Sequence, residues 1–144
     1  MNLNEYFSKP KKFKKKIVVI SVRDEASKYI KNFVEKSALS INMNMKFQNS
    51  FVAVIDMSRK FVYEKSAPTR IECSYKVGDR YIDIVSSGFL TGPASSIKIG
   101  QEEFSLNKNG LNIAIFKHKS LKFVDSFNCN SYLDEALTVK RENG

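Results

Sequence analysis

The one histidine of the chain, His118, stands in the Lys-flanked run FKHKS (116–120). An imidazole that serves as a general base needs a nucleophile to deprotonate and a third group to orient it. No Ser or Cys stands at a spacing that suggests such a partner. The fifteen carboxylates are scattered without an obvious acid–base dyad. Cys73 and Cys129 lie far apart, so they form neither a disulfide framework nor a CxxC metal pair, and Cys129 has no neighbouring acid–base pair to activate it. SSGFLTG (86–92) lacks the G-K-[ST] ending of a phosphate loop. The reading is of a chain that is not an enzyme and carries no metal or cofactor.

The charge is more suggestive. The net charge is +9, and Lys9, Lys11, Lys12, Lys14, Lys15 and Lys16 supply six of these charges within eight positions. A compact basic run can hold nucleic acid or anionic lipid electrostatically. It can equally be a solvated lead-in to the first strand.

The elements that must position any site follow from the apolar pattern. At 144 residues, 42% hydrophobic and 27% charged, the sequence reads as one globular domain (17–144) behind a basic arm (1–16). No apolar run reaches the roughly 20 residues of a membrane span, and no signal peptide is visible; the expected setting is the cytoplasm or a virion. Ile17-Val18-Val19-Ile20 is an unbroken apolar run, the mark of a strand covered on both faces. Such a strand sits inside a sheet, so its neighbours must come from later in the chain. Asp24 stands where a helix N-cap belongs, and Ala26, Ile30, Phe33 and Val34 follow at helical spacing.

From residue 51 the texture turns to strands. FVAVID (51–56) and KFVYE (60–64) flank a hairpin-length connection, and RIECSY (70–75) and RYIDIVSS (80–87) flank Lys76–Asp79. SSIKI (95–99) precedes EEFSL (102–106), and LNIAIF (111–116) precedes LKFVDSF (121–127). The tail, SYLDEALTVKRENG, reads as a weak last helix. The fold class expected is α+β: a compact, mostly antiparallel two-sheet β-sandwich or barrel-like core with one or two helices packed on it.

These motifs together carry a resemblance. VSSGFLTGPASSIKIGQEEFSLNKNGLNIAIF (85–116) and VDSFNCNSY (124–132) resemble the first half of the interleukin-like EMT inducer family, also called the PANDER or GG domain. IVVISVRDEASKYI (17–30), MKFQNSFVAVI (45–55) and YEKSA (63–67) resemble its second half. The halves stand in exchanged order, as in a circular permutation: 17–67 matches the family's second half, 84–144 its first, and 68–83 is a new connection. Exchange of halves with a neighbouring copy is the alternative.

The resemblance implies a fold of two sheets with helices and no family-wide catalysis. Family members include secreted cytokine-like proteins and the sugar-binding stem of a protein O-mannose N-acetylglucosaminyltransferase, and related domains occur in phage tails. In the sugar-binding member an Asp and two Arg residues make the polar contacts. The Asp matches Asp24; Gln48, followed by Asn49, replaces one Arg, and Asn109 replaces the other. The implied function is a non-catalytic module that binds carbohydrate, or a glycan-bearing surface, through Asp24, Gln48, Asn49 and Asn109. The plainer roles are a helix cap for Asp24 and turn polarity for the others. A structural or protein-interaction subunit, of a phage or surface assembly for example, is the second expectation. Association with nucleic acid through Lys11, Lys12, Lys14, Lys15 and Lys16 is the third.

Overall fold

A computed structural model describes residues 15–24, 49–58, 61–88, 91–129 and 137–141. The Lys-rich arm up to Lys14, the helix expected after Asp24, and Gln48 lie outside these residues.

Ten strands form one hydrogen-bonded network: β1 (Lys16–Asp24), β2 (Ser50–Asp56), β3 (Phe61–Ala67), β4 (Ile71–Val77), β5 (Arg80–Gly88), β6 (Ala94–Ile99), β7 (Glu102–Glu103), β8 (Gly110–Lys117), β9 (Phe123–Cys129) and β10 (Leu137–Arg141). The apolar run 17–20 is central, as its pattern requires. β1 pairs antiparallel with β2 on one side (Val19↔Val54) and with β8 on the other (Val19↔Ala114). Residues 17–20 and Val22 are fully buried, so both faces of the strand are covered.

The expected hairpins form. β2 and β3 pair through Asp56↔Phe61, and β4 and β5 through Val77↔Arg80. The latter leaves a two-residue loop whose first position, Gly78, has φ 64°, the conformation that position takes in a type II′ turn. The segment 68–83, expected as a connection, therefore holds a hairpin that sends Ile71, Val77 and Ile82 into the core. β8 and β9 pair with one extra residue, Val124, where Phe116 faces Phe123 and Ile115 faces Asp125.

Three expectations need correction. The two sheets are one: β1 leaves β2 after Ser21↔Val52 and pairs in parallel with β5 at Arg23↔Ser87 and Asp24↔Gly88. That short pairing joins the β10-β9-β8-β1 side, with β2 and β3, to β5, β4, β6 and β7. It is the sole parallel pairing among the described strands. The tail is not helical at 137–141. Leu-Thr-Val alternation suits a strand, and the outer edge of β9 offers free ladder groups that β10 takes (Val139↔Phe127). Finally, EEFSL is a strand only over Glu102–Glu103; Phe104 then turns inward, stacking on Phe123 at 4.9 Å and meeting Phe116 edge-on at 5.0 Å. Among the described residues there is no α-helix. The core lies between Ile17, Val19, Val52, Val54 and Phe116 on one side and Ile71, Ile82, Ile84 and Ile97 on the other. Each such side chain contributes roughly 1.5–3 kcal/mol by burial.

Candidate functional site

Where β1 changes partners, its ladder is incomplete, and serine side chains complete it. Ser86 Oγ accepts from the Phe51 amide at 2.9 Å and donates to Val22 O at 2.6 Å. Ser50 Oγ accepts from the Gly88 amide at 2.9 Å. These buried backbone groups would otherwise lack partners. The serines thus stitch the start of β2 and the end of β5 to the end of β1.

Three of the four residues singled out for sugar contact lie at this end of the sheet. Asp24 closes β1 opposite Gly88. Arg23↔Gly110 pairing puts Asn109, the residue before Gly110, next along from Asp24. Asn49 directly precedes Ser50, the residue bound to Gly88. All three are half-buried. Gln48 lies outside the described residues. Asp24 has φ 69°, a left-handed conformation rather than the extended one usual for an N-cap.

The loop that carries Asn109 is held from beneath by two buried asparagines. Asn112 accepts from the Lys108 amide (3.1 Å) and donates to Lys108 O (2.8 Å). Asn128 Nδ2 faces Asn109 O (3.1 Å), Leu111 O (3.2 Å), Lys108 O (3.4 Å) and Asn112 Oδ1 (3.2 Å). Asn107, at φ 52°, accepts from the Ser95 amide through Oδ1 (3.0 Å), and its carbonyl accepts from Arg23 Nη1 (2.5 Å). Gly110, at φ 101°, takes a conformation that a side chain disfavours.

Arg23, Asn107, Asn112 and Asn128 were not singled out in the sequence. Arg23 brings a guanidinium to the same end from a neighbouring position. Its Nε is buried and has no hydrogen-bond partner. Only the pairing of β1 with β8 and β5, which no local motif encodes, reveals it.

The opposite end of β1 holds a second cluster. Asp56 is 1% exposed; Oδ1 accepts from the Ser58 amide (3.1 Å), and Tyr75 OH donates to Oδ2 (3.4 Å). His118 Nδ1 lies 3.4 Å from Asp56 Oδ1. The histidine thus has a carboxylate neighbour 62 positions away, which spacing along the chain could not show. It follows from Ile17↔Asp56 and Lys16↔Lys117, which set both residues beside the start of β1. Of the basic run, Lys15 is exposed and Lys16 half-buried; Lys11, Lys12 and Lys14 lie outside the described residues.

Among the described residues no three His, Cys, Asp or Glu side chains gather as metal ligands, and no helix is long and apolar enough to cross a membrane. Comparison with protein-family models, curated proteins and solved structures finds no match.

Proposed function

We propose that this chain is a non-catalytic recognition module that binds carbohydrate at the end of the sheet formed by Arg23–Asp24, Asn49 and Asn107–Asn109. One observation carries the reading: Asp24 and Ser50, the neighbour of Asn49, meet at Gly88 through backbone pairing and a direct hydrogen bond, and the Arg23↔Gly110 pairing brings Asn109 to the other side of the same end of β1. A carboxylate and amide side chains offer the donors and acceptors that sugar hydroxyls need, and Arg23, with Nη1 donating to Asn107 O and Nε buried, adds the remaining N–H groups of its guanidinium. The asparagine-held loop fixes the backbone of Asn109, which lowers the ordering cost of binding there. The resemblance to the interleukin-like EMT inducer family supports the same end of the molecule, and the reading includes the permuted order. β1 takes its antiparallel neighbours, β2 and β8, from later in the chain, as that order entails.

The test is a broad glycan array probed with the full chain, followed by titration of any hit against Asp24→Ala and Arg23→Ala. The reading expects binding that both substitutions weaken about ten-fold or more, the loss of one or two charge-assisted hydrogen bonds. Silence across the array with folded protein sinks it, as does a hit indifferent to both changes.

A further inference from the structure

The end of the molecule around the turn 117–122 is built from cations that are distant in sequence. Lys16 pairs with Lys117, and the Lys15 carbonyl accepts from the His118 amide at 3.0 Å. The Lys122 carbonyl accepts from the Lys117 amide at 2.8 Å, and Arg80 Nη1 donates to Ser120 O at 2.9 Å. Two cavities flank this turn. One, of about 250 Å³, is lined by Asp56, Lys76, Val77, Gly78, His118 and Lys119. The other, of about 300 Å³, has Phe104, Phe123, Leu121 and Ile99 as apolar lining and Arg80, Lys122 and Glu102 as charged lining. Together the cavities present four permanent cations and two carboxylates, and Asp56 is buried under its own partners. Lys15, Lys16 and Lys117 adjoin them, and the sequence places Lys9, Lys11, Lys12 and Lys14 just before.

An open aromatic side chain stands beside one of these charges, on the face of β5 opposite Arg80. Tyr81 is 49% exposed, the large hydrophobic residue that stands open to solvent among those described. It follows Arg80 and pairs across the hairpin with Lys76, whose Nζ lies 6.0 Å from the ring centre. Folding sets this open ring of β5 beside a lysine of β4.

We propose that this end binds single-stranded nucleic acid, with phosphates on Lys76, Arg80, Lys119 and Lys122 and a base stacked on Tyr81. A lysine beside an open aromatic ring, next to cavities lined by three further cations, fits a chain of phosphates and bases. The half-buried Phe123 and buried Phe104 give the adjoining cavity an aromatic wall that suits a second base. A lipid headgroup layer is broad and flat, and would engage the lysines without entering the two cavities between them. The site lies at the other end of β1 from the proposed carbohydrate site and does not depend on it.

The experiment is fluorescence anisotropy of a labelled oligouridine with the full chain at several salt concentrations. Affinity is expected to fall steeply with salt, with a slope of about −0.7 per phosphate neutralised. Tyr81→Ala, at an exposed position that tolerates truncation, is expected to weaken binding about ten-fold. Lys119→Glu combined with Lys122→Glu is expected to weaken binding and flatten the salt slope, whereas Lys98→Glu on β6 leaves both unchanged. No binding at low salt overturns the proposal. So does binding that Tyr81→Ala and the double lysine change leave intact, because the arm alone would then account for it. Anionic phosphatidylserine vesicles that bind the chain while oligouridine does not would assign this end to a membrane surface and overturn it as well.

Discussion

The Ser95 hydroxyl donates to the Ser21 hydroxyl at 2.8 Å, and both side chains are buried. A hydroxyl has one proton, so this bond sets the direction of every neighbour. Ser21 spends its own proton on Val85 O at 2.5 Å. Ser95 must therefore accept from Ser105 at 2.8 Å, and Ser105 Oγ accepts in turn from the Asn107 amide at 3.0 Å. One directed chain runs from the loop before β8, through β6 and β1, to the backbone of β5. It ties the loop beside the proposed carbohydrate site to the point where the sheet branches.

Removing a link in that chain leaves a buried polar group without its partner. Ser95→Ala strands the Ser105 proton, and about 1–3 kcal/mol of stability is expected to go. Ser21→Ala costs a similar amount, but the two losses do not add. Once Ser95 is gone, Ser21 has already lost its donor, so the double variant should fall short of the sum by about 0.5 kcal/mol or more. Urea unfolding of the four proteins in the cycle measures this. Strict additivity would mean that the hydroxyls do not interact. Ser96, whose hydroxyl bonds the exposed Glu103 at 2.5 Å, serves as the control, with a change under about 1 kcal/mol on Ser96→Ala.

Asn128 tests the loop support by the sign of one group. Its Nδ2 points at four oxygens, those of Lys108, Asn109, Leu111 and the Asn112 side chain. Asn128→Asp keeps the shape and replaces the donor with an oxygen. A buried carboxylate against four acceptors is expected to cost roughly 3 kcal/mol or more at neutral pH, and more than the better-solvated gap left by Asn128→Ala. Protonation gives the new carboxyl one donor, so the penalty should shrink as the pH falls through its raised titration range. Thermal unfolding at pH 4 and pH 7 reads this out. A variant as stable as the parent at both pH values would show that the amide does not hold the loop.

How much of this was legible follows from the range of each signal. The run 17–20 announced a strand buried on both faces, and the glycines and short polar gaps announced the β2–β3 and β4–β5 hairpins, because both are local patterns. The branch of the sheet was hidden. VSSG reads as a strand end, and nothing local says that Ser86 replaces ladder bonds for Val22 and Phe51. The polar residues of β10 admit either a helical or a strand period, and the free edge of β9 decides the matter. The end that gathers Asp24 and Asn109 was drawn from a resemblance, while Arg23 beside them became visible only through register. For the same reason His118 stands isolated in the sequence: its carboxylate neighbour comes from a different hairpin.

Cys73 supplies a prediction in alkali. It lies half-buried on β4 against the core, and burial pushes its thiol above the ordinary range. Lys65 and a hydrogen bond with Tyr63 pull the other way without cancelling that effect. Burial, with Cys73 beside it, also pushes the Tyr63 phenol up. Both groups therefore keep their protons longer in the folded chain than in the unfolded one, where a thiol titrates near about 8.5. Between those two values the folded state binds more protons, so stability is fully present below the unfolded titration and falls as the pH rises through it. Urea midpoints from pH 7.5 to pH 10 should decline, and Cys73→Ala should make the decline shallower. The Cys73 thiol should likewise react with iodoacetamide at neutral pH more slowly than an unstructured peptide thiol does. Alkylation of Cys73 at the peptide rate, or an unchanged slope in Cys73→Ala, would show that burial does not hold the proton on the sulfur.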